Sequence, residues 1–186
     1  MLFRSVRAYV AALQNKKGRI DVLVNVAGGS NYLGLGRKKF FEIDPAQWDL
    51  IFKPNIYGVL NCCYSVLPGM IKAKGGTIVS IASGMALRGQ VGSSTYSAAK
   101  AAIVGFTQSL SQEVGPYGIR VNSIAPGTAQ SRWFPNLQSE GGQARSPLGI
   151  RTSARDVANA IVFLLSERAS HITGSCLDIS GGSSLH

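Results

Sequence analysis

Four short strand-like segments, residues 19–24, 77–82, 120–125 and 176–180, punctuate the chain, the first two as apolar runs, and the intervals between them carry apolar residues at helical spacing. A strand buried on both faces reads as a continuous apolar run, and such strands occur in parallel sheets, whose neighbours are joined by crossover helices. The pattern therefore predicts an α/β fold built on a parallel sheet. Val6, Val10 and Leu13 mark a first helix that ends at Gly18. Asp44-Pro45 opens a second helical stretch through Trp48, Ile51 and Phe52, which resumes past Pro54 to Met70 and carries Asn55 inward. Ala99, Ile103, Phe106, Leu110 and Val114 form a third stripe, stopped by Gly115-Pro116. Ser153 and Asp156 are spaced as a capping box at the head of a fourth helix through Val157, Ile161 and Leu164.

The run 77–82 delivers Ser83 to the carboxyl edge of the sheet, where open α/β sheets bind ligands. Across a glycine-rich loop, Tyr96 and Lys100 stand at i and i+4 and so share a helix face. These three residue types suit proton transfer to or from an oxygen. A free tyrosine, with a pKa near ~10, is a poor acid or base at neutral pH, and a neighbouring cation favours its phenolate. A general acid/base works best with its pKa near the working pH. A serine hydroxyl can hold a carbonyl beside the phenol by donating to it. On its own, a tyrosine four residues before a lysine also fits a solvated lysine next to a half-buried tyrosine, so the surrounding motifs decide between the two.

Upstream stand Asn25-Val-Ala-Gly28 and Lys53-Pro-Asn55-Ile-Tyr-Gly58, and downstream Arg120-Val-Asn-Ser-Ile-Ala-Pro-Gly127. In this order the chain, from about Val6 to Gly182, resembles the short-chain dehydrogenase/reductase family. The resemblance implies a Rossmann-type parallel sheet with helices on both faces, an NAD or NADP cofactor, and hydride exchange between a carbonyl and a secondary alcohol. It makes Tyr96 the general acid/base, Lys100 the cation that lowers its pKa and holds the nicotinamide ribose, Ser83 the carbonyl-orienting donor, and Asn55 the holder of a water in a proton relay. Cofactor contacts are implied for Asn25, Ala27 and Gly28, for Pro126 and Gly127 against the nicotinamide, for Thr128, and for Ser131, where family members often have a threonine. Val26 takes the place of the second asparagine in the family's Asn-Asn-Ala-Gly, a tolerated variation.

Residues 28–36 are glycine-rich without fitting G-x-G-x-x-G, and read as a flexible loop beside the active site. Residues 132–150, with Trp133, Phe134 and Leu137, take the place of the family's mobile substrate lid. The resemblance further implies a homodimer or homotetramer, assembled through the Tyr96 helix and the helix after Asn55. Ala98, Ala101 and Ala102 are small enough for that close packing.

Composition narrows the alternatives. With 186 residues, 45% apolar and 15% charged, the chain is long enough for one domain with a sizeable core and is not of disordered composition. Cys62, Cys63 and Cys176 fit neither a disulfide framework nor a metal-ligand spacing, and read as small buried residues in a reducing, cytoplasmic setting. His171 and His186 have no ligands clustered around them, so a metal centre is not expected. No apolar run approaches the roughly 18 to 20 residues of a membrane span, and the first residues lack the pattern of a secretory signal. The net charge of +10 comes from scattered groups such as Lys16, Lys17 and Arg19, or Lys72 and Lys74. They have no interleaved aromatic platform, which argues against nucleic acid as a partner. The expected partner is a small-molecule carbonyl or alcohol. Steroids, sugars, acyl thioesters and small ketones all stay open, with 3-oxoacyl reduction as the family-level default.

A complete family member begins with two β-α units that carry a Thr-Gly-x-x-x-Gly-x-Gly turn and the residue choosing between NAD and NADP. Neither occurs in these residues, which start at the helix before the family's fourth strand. The expectation is one partial, N-terminally truncated Rossmann-type domain over residues 1–186, a doubly wound fold lacking its first two to three strands. Two roles fit it: part of a functional oxidoreductase, or a catalytically inactive interaction partner of full-length relatives. Retention of Asn55, Ser83, Tyr96 and Lys100 together favours the first. Without the glycine turn there is no helix N-terminus to receive a pyrophosphate. The 186 residues by themselves are expected to bind NADH and NADPH more weakly than micromolar in a fluorescence titration, and micromolar affinity would show that the turn is dispensable.

Overall fold

In the computed structural model of the chain, which describes residues 2–29, 37–127 and 146–184, helices and strands alternate as the sequence predicts. Helix α1 (Leu2–Lys17) leads to β1 (Val22–Asn25), α2 (Trp48–Phe52), α3 (Gly58–Ala73), β2 (Gly76–Ile81) and α4 (Gly84–Arg88). Then follow α5 (Ser94–Val114), β3 (Ile119–Pro126), α6 (Ala154–Leu165) and β4 (Cys176–Ile179). The strands lie in the order β1-β2-β3-β4, and each neighbouring pair is parallel. All four carboxyl ends therefore meet along one edge, which is where the motif residues collect.

Helices cover both faces of the sheet, as expected for the Rossmann type. On one face Val10 of α1, Val59, Cys63, Val66 and Met70 of α3, and Ile103, Leu110 and Val114 of α5 pack on Ile78 and Val121. On the other, Leu164 of α6 and Ala169 pack on Val79 and Ile124. Each such fully buried aliphatic side chain contributes about 1.5–3 kcal/mol relative to exposure. The capping box forms as spaced: the Asp156 N–H donates to Ser153 Oγ at 3.1 Å, and the Ser153 N–H donates to the Asp156 carboxylate at 2.7 Å. At the other end of α6, the Arg120 guanidinium donates to the carbonyls of Leu164 at 2.8 Å and Ser166 at 3.3 Å. Those carbonyls have no partner within the helix, so β3 closes the helix end from below.

Burial on both faces holds for β2 and β3 but not for the outer strands. Val22 of β1 is 43% exposed and Leu177 of β4 is 38% exposed. Among the described residues, the first core covers the Leu23 side of β1 and nothing comparable covers the Val22 side. The strand also starts later than the apolar run, because Arg19 and Asp21 pair with each other at the surface before it. A second difference is α4. Where the sequence after Ser83 reads as a glycine-rich loop, residues 84–88 form a helical turn capped by the Ser83 side chain and ended by Gly89, at φ +66°.

The helix interruption near Pro54 takes a specific form. Between α2 and α3, Lys53–Tyr57 is π-helical, and the Gly58 N–H donates to the Lys53 carbonyl five residues back. Proline has no N–H for an i−4 carbonyl, and the wider turn absorbs that loss while swinging Asn55 into the interior. Thr128, Ser131 and residues 132–145 of the expected lid lie outside the described residues, as do residues 30–36 of the glycine-rich loop.

Lys74 ends α3 in the left-handed region (φ 53°, ψ 46°), with its N–H on the Ile71 carbonyl at 3.1 Å. A side chain in that region costs about 1–2 kcal/mol, which glycine avoids at the expense of a more flexible unfolded chain. Lys74→Gly is therefore expected to raise stability by about 0.5–1 kcal/mol. The readout is a higher urea midpoint with an unchanged slope; a lower midpoint would show that the lysine side chain contributes more than its backbone costs.

Candidate active site

β2 runs out at Ile81, and the next residues turn sharply into α4. Ser83 has extended backbone (φ −170°, ψ 151°), and its Oγ accepts from the Met85 N–H at 3.2 Å. That bond uses a lone pair and leaves the serine O–H to donate elsewhere. α5 then returns across the edge of the sheet, bringing Tyr96 and Lys100 to the strand that delivered Ser83. The Lys100 ammonium donates to the Ile81 carbonyl at 2.8 Å and lies 5.9 Å from the centre of the Tyr96 ring. Lys100 is only 3% exposed, and burial pushes its ammonium down to about 8 from an ordinary value near 10.5. The solvated-lysine alternative is thereby removed.

Asn55 is fully buried, and every polar atom of its side chain is engaged. Its Nδ2 donates to the carbonyls of Gly29 and Ile51, each at 2.9 Å, and its Oδ1 accepts from the Gly29 N–H at 2.9 Å. The amide is thus a two-sided clamp on the loop that leaves β1. Both Nδ2 donors are taken, so a water at the Asn55 side chain could use only the second lone pair of Oδ1.

Asn25, buried at the end of β1, donates from Nδ2 to Ser80 Oγ at 3.0 Å and to Cys63 Sγ at 3.5 Å. Its side chain therefore joins β1 to β2 and α3 and does not face outward. Burial pushes the Cys63 thiol up to about 12, against a smaller opposite pull from the Asn25 amide. Cys63 thus packs as an inert small side chain. Ala27 and Gly28 are exposed on the loop, and Val26 is 63% exposed, so the place of the family's second asparagine faces outward.

Gly28 is where close approach is required. It sits at φ +143°, and a Cβ there would stand 2.6 Å from Asn55 Oδ1 and 3.3 Å from Lys100 Nζ. Pro126 ends β3 and Gly127 follows it, with the Gly127 N–H donating to the Ile179 carbonyl at 3.2 Å. The missing side chain at Gly28 lets the loop lie against Asn55 and Lys100, and the Lys100 ammonium, with one N–H on the Ile81 carbonyl, has two further donors of the kind that suit the hydroxyls of a nicotinamide ribose. The structure thus brings Gly28, Asn55 and Lys100 together and sets Tyr96 beside Lys100, with Ser83 two residues past the Ile81 carbonyl that Lys100 holds and Pro126 near Gly84. Sequence reading missed the Ile81 carbonyl, the backbone of Gly29, and the partners Ser80 and Cys63, since backbone acceptors and distant contacts leave no local signature. Among the described residues, no group of three His, Cys, Asp or Glu side chains is placed to hold a metal ion, and no helix is long and apolar enough to cross a membrane.

Comparison with known proteins agrees along nearly the whole chain. The family model described as enoyl-(acyl carrier protein) reductase matches residues 3–184. Nodulation protein G of Azospirillum brasilense is 36% identical over 184 residues, spanning 97% of this chain and 72% of that protein. The 3-oxoacyl-[acyl-carrier-protein] reductase FabG of Chlamydia muridarum is 39% identical over 181 residues, 95% of this chain and 71% of that protein. Among solved structures, a tyrosine-to-phenylalanine variant of ElxO with NADPH bound superposes with a TM-score of 0.88 at 30% identity, covering 96% of this chain and 73% of that one.

The buried ammonium has a thermodynamic signature. With a folded value near 8 against 10.5 unfolded, Lys100 binds fewer protons folded than unfolded between those pH values. Its penalty is fully present below pH 8 and is relieved as pH rises towards 10.5, by about 3 kcal/mol in all. Cys63 acts oppositely above pH 9, where its unfolded thiol ionises first. Urea denaturation of the protein and its Lys100→Met variant isolates the lysine, because Cys63 is common to both. The variant is expected to be the more stable at pH 7, with the difference shrinking from pH 8 upward; a difference independent of pH would place the ammonium in contact with water.

Proposed function

Because the chain belongs to the short-chain dehydrogenase/reductase family and is an NAD(P)-dependent oxidoreductase, we propose that it reduces a ketone with Tyr96 as proton donor, and oxidises the matching secondary alcohol in reverse. The observation that carries this reading is the buried Lys100 ammonium, held by the Ile81 carbonyl at 2.8 Å and lying 5.9 Å from the Tyr96 ring. When bound, NAD(P)H supplies the hydride that goes to the carbonyl carbon. Ser83 orients the substrate by donating its O–H to the carbonyl oxygen. Tyr96 gives its phenolic proton to the same oxygen as negative charge develops there. Lys100 stabilises the phenolate left behind, since a cation beside a phenol favours its charged form. Its remaining N–H groups are free to hold ribose hydroxyls.

Asn55 acts on this reading as a positioning residue, keeping Gly28 and Gly29 against Lys100 through its amide. The Asn55 main chain is the stronger candidate for a water that returns a proton to Lys100. Asn25 anchors the cofactor loop from behind through Ser80. For substrate class we place the protein with the 3-oxoacyl reductases among its relatives, taking a β-keto acyl thioester. Residues 1–186 form the catalytic part of one Rossmann-type domain. Ala98, Ala101 and Ala102 are exposed along α5, and Tyr64 is 62% exposed on α3, which supports assembly of copies through these two helices.

Tyr96→Phe keeps the ring and removes the proton donor. It is expected to lower kcat by about 10²- to 10⁴-fold while leaving the NADPH dissociation constant within about twofold. Turnover near that of the parent would mean that the proton comes from another group.

A further inference from the structure

Ser83 takes its position from the start of α4, and the start of α4 is fixed from the far end of the chain. Gly84, the first residue of α4, is buried, and a Cβ there would collide with Ser184 Oγ and stand 3.4 Å from both Ser184 Cβ and the Pro126 carbonyl oxygen. Ser184 is itself 1% exposed. Its N–H donates to Ser180 Oγ at 3.0 Å, and the Ser180 hydroxyl donates to Asp178 Oδ2 at 2.9 Å. Ser183 Oγ donates to the Ser180 carbonyl at 3.1 Å. Gly181 and Gly182, at φ +64° and +86°, let the chain double back after β4. On the opposite flank, a Cβ at Gly127 would stand 3.0 Å from Ser180 Cα and 3.2 Å from Thr152 Oγ1. Residues 180–184 thus fill the space between the residue after Ser83 and the residue that follows β3.

We propose that the turn 180–184 is a positioning element for carbonyl reduction, in which Ser184, seated on the bare Cα of Gly84, sets the reach of the Ser83 hydroxyl. The inference rests on the role of Ser83 proposed above. A hydroxyl must come within about 2.5–3.0 Å of the oxygen it serves. A displacement of about 1 Å can cost on the order of 10²-fold in rate, so a contact that moves α4 slightly acts on turnover before it acts on folding. Ser180 seats Gly127 in the same turn, which makes the Ser83 hydroxyl and the end of β3 move together. Nothing in residues 180–184 need touch the substrate for this to hold.

The test is a steric exchange across the contact, using the protein and its Gly84→Ala, Ser184→Gly and Gly84→Ala/Ser184→Gly variants. Gly84→Ala is expected to lower kcat by about tenfold or more, with the NADPH dissociation constant and the urea midpoint little changed. Removing the opposing side chain in the double variant is expected to restore most of the loss. The backbone N–H of Met85, which donates to Ser83 Oγ, supplies a readout that needs neither substrate nor cofactor. Its amide resonance should shift in Gly84→Ala and return in the double variant. If Gly84→Ala does not fold, recovery of folding, resonance and turnover in the double variant supports the proposal equally. Parent-like kcat and an unmoved Met85 resonance in Gly84→Ala, or no recovery in the double variant, would overturn it. If the parent protein reduces no β-keto thioester, the functional reading fails, and the Met85 resonance still decides whether Ser184 places Ser83.

Discussion

The hydrogen bond from the Lys100 ammonium to the Ile81 carbonyl is the contact on which the rest of the site depends. It links a charge on α5 to the last residue of β2, so that the helix carrying Tyr96 and the strand leading to Ser83 share one fixed point. An ammonium with 3% exposure is costly to bury, and the apolar contacts further along the same helix offset that cost. Ile103, Leu110 and Val114 hold α5 against the sheet strongly enough to keep the lysine in place where a free side chain would return to water. Stability is thereby concentrated at one end of α5, and a destabilised, reactive group is carried at the other.

Two asparagines do for the loop after β1 what Lys100 does for α5. Asn25 fixes where the loop leaves β1 by bonding Ser80 and Cys63, and Asn55 holds it four residues on by pairing with both backbone groups of Gly29. A side-chain amide suits this role because it donates and accepts in one plane, as a peptide group does. The π-helical turn at Lys53–Tyr57 is the accompanying device, since in that segment Asn55 lies inward at full burial beside the loop. Between the two anchors, Gly28 has no side chain to separate the backbone from Lys100.

Local pattern reveals some of these features and hides others. The parallel sheet was legible because 77–82, buried on both faces, reads as an apolar run without strict polar alternation. The Tyr96–Lys100 pairing was legible because helical spacing alone puts i and i+4 together. The partial exposure of β1 was not, because burial of its second face depends on what lies beside it and not on Val22 itself. α4 escaped notice because five residues carry no period, although Ser83, the helix-forming Met-Ala-Leu-Arg and Gly89 together spell a capped turn. Gly84 shows the limit most clearly. A glycine in a glycine-rich loop reads as flexibility, whereas here it is a point of tight contact with Ser184.

The site is assembled from segments scattered along the chain, and the register of the parallel sheet sets the strand ends among them in relative position. Ile81 pairs with Ile124 across β2 and β3, and Pro126 with Ile179 across β3 and β4. A slip of one residue would shift Ser83 or Gly127 along the edge by roughly 3.3 Å and turn every strand side chain to the wrong face. The hydrophobic pattern alone specifies register weakly in strands that are apolar on both faces, so polar contacts must do it. Asn122 is such a pin: fully buried in β3, it donates to the Ile172 carbonyl at 2.8 Å and accepts from the Ser175 N–H at 3.1 Å. Thr173 Oγ1, accepting from the Val121 N–H at 3.0 Å, is a second. Both lie at the amino end of β4, far from the chemistry, and the alignment they impose there is carried up the strand to the turn that seats Gly84 and Gly127.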